Sequence, residues 1–86
     1  MAVYRKRNIP WRIIDGEALV VDPEKSLIYP FNAVAARVWQ LIDGAKDTDE
    51  IAEMIFREFE AEKALIHADI TDFIAQLKES ELIEAR

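Results

Sequence analysis

Residues 11–31 read WRIIDGEALVVDPEKSLIYPF and contain the clearest strand and turn signals of the chain. Asp15-Gly16 is one of the strongest short signals for a hairpin turn between two strands. Pro23 lies at a position that turns favour in the next polar segment, and a run of β-forming residues follows at 27–29. The stretch therefore predicts a three-stranded antiparallel meander.

The first predicted helix follows the meander directly. Asn32 is a good N-cap, and the apolar pattern runs from Ala33 to about Asp43, where Gly44 is expected to end the helix. Apolar residues occupy two adjacent stripes of this helix and leave only a narrow polar strip. We therefore expect this helix to be mostly buried near the centre of the molecule.

Two further helices are predicted in the C-terminal half. Asp47 and Glu50 have the spacing of a capping box, with Thr48 as the alternative cap, and a helix runs from there to Phe59. A third helix covers roughly residues 66–80. Its apolar residues recur at helical spacing, at Ile66, Ile70, Phe73, Ile74 and Leu77. Three strands followed by three helices predict an α+β domain of winged-helix type.

Length and charge indicate how the chain is organised. Its 86 residues suit one small domain. Three consecutive basic side chains at residues 5–7 are typical of a solvated tail, so we expect a flexible basic arm over 1–8 and a single domain over 9–86. Residues 32–86 hold 6 Lys and Arg against 13 Asp and Glu, so the second half is acidic.

Few side chains could carry catalysis. The sequence has no cysteine, which excludes disulfides, thiolate metal sites and cysteine nucleophiles. The single histidine, His67, is expected at the surface, because it and Asp69 are two residues apart and point to different helix faces. Both glycines are assigned to a turn and a helix end, so no glycine-rich phosphate loop is present. We expect no enzyme activity, no metal and no cofactor.

Location and alternative functions follow from the same pattern. No stretch approaches about 18 apolar residues and no apolar run follows the basic start, so we expect a cytoplasmic protein and no membrane contact. A winged-helix domain can bind nucleic acid through its third helix, but Asp69, Asp72 and Glu79 give that helix the wrong charge. A nucleic-acid-binding regulator is therefore an alternative that the charge disfavours.

An exposed strand edge is the remaining candidate site. The outer strands of a three-stranded meander expose unpaired N–H and C=O groups, and such an edge can accept a peptide as a further strand. Backbone hydrogen bonds alone give weak binding, so apolar contacts are also needed, and the flank of the third helix could supply them. The same edge could pair with a second copy, so a generic interaction or dimerisation module is a third hypothesis.

Several short segments occur in a distinctive order across about residues 9–83. They are Asp15-Gly16-Glu17-Ala18, Val20-Val21-Asp22-Pro23-Glu24, Tyr29, Phe31-Asn32, Val38-Trp39-Gln40-Leu41-Ile42-Asp43-Gly44, Thr48, Glu50-Ile51-Ala52, Asp69-Ile70, Phe73-Ile74 and Leu77. Together they resemble the pyrroloquinoline-quinone biosynthesis protein D (PqqD-like) family. Members of that family are small winged-helix peptide chaperones, also called precursor-peptide recognition elements.

The resemblance implies a function and a site. It implies binding of the leader of a ribosomally synthesised, post-translationally modified peptide, and presentation of that peptide to a modifying enzyme, commonly a radical S-adenosylmethionine (radical SAM) enzyme. The leader would add as a strand beside the third strand, in the cleft against the third helix. The implied peptide-binding residues are Leu27, Ile28, Tyr29 and Pro30 on the strand and Asp69, Asp72, Phe73, Gln76 and Leu77 on the helix. Pyrroloquinoline quinone biosynthesis is one pathway that fits, and another peptide-modifying pathway is the alternative.

The polar residues of the implied site share one side of the third helix. Asp69, Asp72 and Gln76 fall on one flank of its apolar stripe when about 100° per residue is counted from Ile66. We call Asp69 and Asp72 the acidic rim. A rim of this charge predicts a basic residue in the leader.

Overall fold

The computed structural model describes residues 3–60 and 62–85 and has an α+β fold. Its elements are β1 (Val3–Lys6), β2 (Trp11–Ile14), β3 (Glu17–Asp22), β4 (Leu27–Phe31), α1 (Ala33–Leu41), β5 (Asp43–Asp47), α2 (Thr48–Glu58), α3 (Lys63–Glu79) and β6 (Ile83–Ala85). The strands form two antiparallel sheets with the orders β2-β3-β4 and β5-β1-β6. The predicted α+β class and the three helices are confirmed, whereas the prediction of a single sheet is wrong.

The β2-β3-β4 sheet is the predicted meander. Asp15 and Gly16 have φ angles of 52° and 80°, the left-handed pair that a type I′ hairpin turn requires. Ile14 pairs directly with Glu17 across this turn. At the second turn, the buried Asp22 carboxylate accepts two backbone N–H groups, at 3.1 and 3.2 Å. Both turns are therefore stabilised by residues within the turns themselves, which the sequence alone can indicate.

The second sheet replaces the flexible arm predicted for residues 1–8. In the described part of that segment, Val3–Lys6 form the central strand of the sheet, between β5 and β6. Val3–Lys6 are therefore part of the folded structure. Residues 1 and 2 lie outside the described part of the chain.

The basic side chains of this segment have distant partners. Arg5 Nε lies 3.0 Å from Glu84 Oε1, and an Arg7 guanidinium nitrogen lies 3.2 Å from the backbone carbonyl of Glu81. These partners are 79 and 74 positions away along the chain. A solvated tail was the wrong expectation because the residues that hold the segment lie at the opposite end of the sequence.

Lys6 connects β1 to the end of α1. Its Nζ donates a 2.6 Å hydrogen bond to the carbonyl of Ile42, just past the last helical residue. The same Nζ lies 5.5 Å and 5.7 Å from the ring centroids of Trp11 and Trp39. Burial lowers the pKa of Lys6 below its usual range. The cation therefore stabilises helix carbonyls that have no partner within the helix.

The C-terminal end of α1 differs from the prediction. The helix ends at Leu41, and Gly44 lies within β5 at a φ of 83°. The segment that follows the helix is drawn into the second sheet, where Val3 pairs with Asp47. Gly44 therefore provides a left-handed backbone position inside a short strand, and it does not cap the helix.

The other two helices are confirmed with one shifted boundary. At the start of α2 the Asp47 carboxylate accepts the Glu50 N–H at 2.9 Å, and the Glu50 carboxylate accepts the Asp47 N–H at 3.1 Å, so the predicted capping box is present. α3 begins at Lys63, about one turn before the expected residue 66. No helix of the described residues is long and apolar enough to cross a membrane.

The core lies between the β2-β3-β4 sheet and the helices. α1 is mostly buried, as its two apolar stripes predict, and Trp39 is wholly inaccessible. The largest fully buried side chains are Trp39, Ile42, Ile51, Ile55, Leu82, Val20 and Val38. The ring of Trp39 contacts two other aromatic rings of the sheet. Its centroid lies 6.2 Å from that of Trp11 and 5.8 Å from that of Phe31.

Candidate functional site

β4 is an edge strand whose side chains divide between two faces. Leu27, Tyr29 and Phe31 pair with residues of β3 that are buried, so they lie on the inner face of the sheet. Ile28 and Pro30 lie on the opposite face, and Ile28 is 64% exposed. Residues 27–30, which the resemblance places in one site, are therefore divided between the two faces of the sheet.

Backbone hydrogen bonds show which groups of β4 point to the open edge. The N–H of Val21 donates to the carbonyl of Pro10 at 2.9 Å, so the backbone of Val21 faces the β2 side. Successive residues of an antiparallel strand direct these groups to opposite neighbours. Val20 therefore faces β4, where it pairs with Tyr29. It follows that the odd-numbered residues of β4 face β3 and the even-numbered ones face the open edge.

Ile28 and Pro30 are thus the edge residues of β4. Ile28 offers both an N–H and a C=O to an added strand, and Pro30 offers only a C=O. A proline is tolerated in a sheet at such a position, since the missing N–H takes nothing from the ladder with the neighbouring strand. No strand of the described residues lies on the other side of β4.

Two contacts hold α3 alongside β4. Phe73 of α3 meets Phe31 edge to face, with ring centroids 5.1 Å apart. At the other end, Lys25 Nζ donates to the carbonyl of Ser80 at 2.9 Å and lies 3.2 Å from the Glu81 carboxylate. The start of β4 therefore lies near the end of α3, so strand and helix run in opposite directions. We call the space between these two contacts the β4–α3 groove.

The remaining helix residues of the predicted site differ in accessibility. Asp69, Asp72 and Gln76 are exposed, and Phe73 is half-buried against the core. Leu77 is only 2% exposed, so its side chain is part of the core and offers little surface to a ligand. The structure thus brings Phe31 of β4 into contact with Phe73 and buries Leu77 in the core.

A cavity of about 370 Å³ opens beyond the Phe31–Phe73 contact. It lies between the three helices, and its walls are apolar except for Asn32 and Asp69. Its lining residues are Asn32, Val34, Ala35, Val38, Ile55, Phe59, Ile66, Asp69, Ile70 and Phe73. Val34 lies on α1 and Phe59 directly follows α2, two elements that the resemblance did not include in the site.

Charge is distributed unevenly around the groove. Neither carboxylate of the acidic rim, Asp69 or Asp72, forms an ion pair with another described residue, whereas Glu58 is bound to Arg37 at 2.7 Å. That hydrogen bond raises the pKa of Arg37. His67 lies at the surface, with its Nε2 2.7 Å from Asp49. The described residues contain no cluster of three or more potential metal ligands.

Comparison with known proteins identifies the family. Residues 17–83 match the model of the family described as coenzyme PQQ synthesis protein D (PqqD). The chain belongs to the PqqD family. A bifunctional coenzyme PQQ synthesis protein C/D of Methylorubrum extorquens strain AM1 is 32% identical over 71 residues, which are 83% of this chain and 18% of that protein. The chain therefore spans under a fifth of that relative.

Solved structures share this PqqD fold. TbiB1 in complex with the TbiA(beta) leader peptide has a TM-score of 0.82 and 25% identity, covering 93% of this chain and 94% of its own. The PqqD truncation of Methylobacterium extorquens PqqCD is described as a functional and stand-alone recognition element. It has a TM-score of 0.75 and 26% identity, covering 95% of this chain and 88% of its own. A lasso peptide synthetase B1 complexed with the leader peptide shares the fold, with a TM-score of 0.81 and 22% identity. The match covers 94% of this chain and 96% of that protein's chain.

Proposed function

We propose that this chain binds the leader of a ribosomally synthesised precursor peptide as a strand along β4 and presents it to a modifying enzyme. The observation that carries the proposal is the open edge of β4, where Ile28 and Pro30 point away from β3 beside α3. Two structural relatives are complexes with leader peptides, and a third is described as a stand-alone recognition element.

Backbone pairing explains part of the expected affinity. The open edge offers one donor and two acceptors within β4, from Ile28 and Pro30. At roughly 0.5–1.5 kcal/mol for each hydrogen bond, these give a few kcal/mol at most. Micromolar binding corresponds to about −8 kcal/mol. Side-chain contacts must therefore supply the larger share.

The groove supplies those contacts. Alternate side chains of an added strand would point inward, towards Leu27, Tyr29 and Phe73. A leader that continues past Phe31 would meet the cavity of about 370 Å³, which has room for an apolar side chain. The acidic rim favours a basic side chain nearby, because its carboxylates have no cation of their own among the described residues.

The proposal assigns the chemistry to a partner. The groove offers a strand edge, apolar surface and carboxylates without an activating partner, so it fits binding and not catalysis. The family resemblance favours a radical SAM enzyme as the partner, in pyrroloquinoline quinone biosynthesis or another peptide-modifying pathway. A cytoplasmic location is part of this proposal, since ribosomally made peptides arise there.

Nucleic-acid binding is not favoured. If the domain is a winged helix, α3 would be the recognition helix that enters the DNA major groove. Asp69 and Asp72 are exposed on that helix and would face phosphates with the same charge.

A binding measurement tests the proposal. The probe is a fluorescein-labelled leader taken from a short peptide encoded beside this gene, and the control is a peptide of the same composition in scrambled order. We expect saturable anisotropy with a Kd at or below about 10 µM for the leader and at least tenfold weaker binding of the scrambled peptide. Equal affinity for both peptides, or no binding of the leader, contradicts the proposal.

A further inference from the structure

The outer face of the β2-β3-β4 sheet is mostly apolar although it is exposed. A sheet with one solvated face usually carries polar side chains there. Here Arg12 and Glu17 are the charged outer positions, and we call the five apolar ones the outer patch: Ile14, Leu19, Val21, Ile28 and Pro30. Leu19 lies opposite Pro30 and Val21 opposite Ile28, so the side chains form a continuous surface across β3 and β4. A contiguous apolar surface beside an open strand edge is one on which another chain can pack.

We propose that the outer patch, extended by a peptide strand bound along β4, is the surface on which the peptide-modifying enzyme docks. The inference rests on the proposed function and adds the partner's contact surface. It implies that the enzyme binds the peptide-loaded domain more tightly than the free domain.

The register of β4 links the open edge to the outer patch. Ile28 and Pro30 belong to the open edge through their backbones and to the outer patch through their side chains. A strand paired with them places alternate side chains on the same face, directly beside Ile28 and Pro30. The contiguous part of the patch, on β3 and β4, is therefore two strands wide in the free domain and three strands wide in the loaded one. Part of the surface that the enzyme contacts then belongs to the peptide.

The size of the patch indicates the kind of occupant. The whole outer face, with three strands about 4.8 Å apart and about five residues long, covers on the order of 250 Å², and the patch is only part of it. A stable interface buries about 800 Å² on each partner. The patch alone is too small to hold two copies of this chain together. It suits a partner that also contacts the peptide.

Charge also favours a different protein over a second copy. Each chain carries a net charge of −6, so two copies repel one another at long range. The patch itself is bordered by one charge of each sign, because Arg12 pairs with Leu19 and Glu17 with Ile14. An enzyme surface with an apolar centre can therefore approach without burying an excess of either charge.

Substitutions on β3 test the inference without touching the β4 edge. Leu19 and Val21 are each 37% exposed, and their backbones face β2. Leu19→Lys and Val21→Lys place a charge on the patch. Leu65→Lys, at a 57% exposed position of α3, is the matched control. The probes are the labelled leader and the immobilised peptide-modifying enzyme encoded beside the same gene, measured with and without leader.

The expected results separate the two levels of the proposal. The wild-type chain should bind the enzyme at least about tenfold more tightly with leader than without. Leu19→Lys and Val21→Lys should keep leader affinity within about twofold, which also shows that they fold, and weaken enzyme binding at least about tenfold. Leu65→Lys should change neither affinity.

Other outcomes overturn the inference. Unchanged enzyme affinity in both β3 variants contradicts it while the proposed function stands, and so does an enzyme that binds free and loaded domains equally. A wild-type dimer in sedimentation velocity that Leu19→Lys dissociates would assign the patch to a second copy. A leader that does not bind the wild-type chain contradicts the proposed function itself, and this inference with it.

Discussion

The rings of Phe31 and Phe73 meet edge to face, with centroids 5.1 Å apart and planes at 87°. Phe31 ends the edge strand β4, and Phe73 is the half-buried residue at the middle of α3. Such aromatic pairs contribute roughly 0.5–1.5 kcal/mol beyond the area they bury. This contact positions α3 against β4, and the proposed leader site depends on that spacing.

Removing the Phe73 ring should weaken leader binding. Phe73→Ala deletes one wall of the β4–α3 groove and of the cavity beyond it, so we expect the leader Kd to rise at least about fivefold. Because Phe73 is half-buried, unfolding free energy should fall by about 1–3 kcal/mol, less than for a fully buried ring. Phe56→Ala, an exposed ring on α2, is the control and should leave the Kd unchanged. A Phe73→Ala variant that is folded and binds normally would remove Phe73 from the site.

Removing one backbone donor should test strand addition. Ile28→Pro deletes an N–H that faces the open edge and leaves the ladder between β3 and β4 intact. We expect the stability to change by less than about 1 kcal/mol and the leader Kd to rise by about threefold to tenfold, which corresponds to one hydrogen bond. Ile28→Val keeps the N–H and should bind as the wild type does. Equal binding of the proline and valine variants in fluorescence anisotropy would refute pairing at this position.

Reversing a charge on the acidic rim should change the salt dependence of binding. Asp72→Lys should slow association of a leader with a basic residue, and the effect should shrink as salt rises, since exposed charges are screened beyond about 10 Å at 0.1 M. Glu62→Lys makes the same change in net charge at the start of α3, away from the groove. Stopped-flow association rates at low and high salt distinguish the two. Identical rates for both variants at low salt would contradict a role for the rim.

Lys6 should stabilise the fold more than the neighbouring Arg5 does. Lys6→Met keeps the apolar stem but leaves the Ile42 carbonyl without its 2.6 Å donor, so we expect a loss of about 1–3 kcal/mol in urea unfolding. Arg5→Met removes only an exposed ion pair with Glu84 and should cost less than about 1 kcal/mol. If the two variants are equally stable, Lys6 is not the residue that holds β1 to the end of α1.

Local signals explain which parts of the fold could be predicted. The Asp15-Gly16 turn and the Asp47–Glu50 capping box are encoded within a few residues, and both are present. The second sheet is not local, because Tyr4 pairs with Ala85 and Arg5 with Glu84. Its strand β5 reads DGAKD, which has none of the β-branched or aromatic residues that mark strands. Only the tertiary contacts make that segment a strand.

The candidate site comes from the family resemblance, and binding by Leu27, Ile28, Tyr29, Pro30, Asp69, Asp72, Phe73, Gln76 and Leu77 stays a prediction. The division of β4 into an inner and an outer face required the register with β3. The burial of Leu77 was open at the level of sequence, since its helical spacing fits both a core residue and a groove residue.

Hydrogen exchange of the Ile28 amide reports directly on strand addition along β4. In ¹⁵N NMR spectra of the chain titrated with the leader, we predict shifts at residues 27–29, 31 and 66–77, with Pro30 giving no amide signal. Exchange of the Ile28 N–H should slow at least about tenfold, because it becomes the donor to the added strand. A leader that binds while Ile28 exchanges at its free rate, or that shifts only residues outside these ranges, would contradict strand addition along β4.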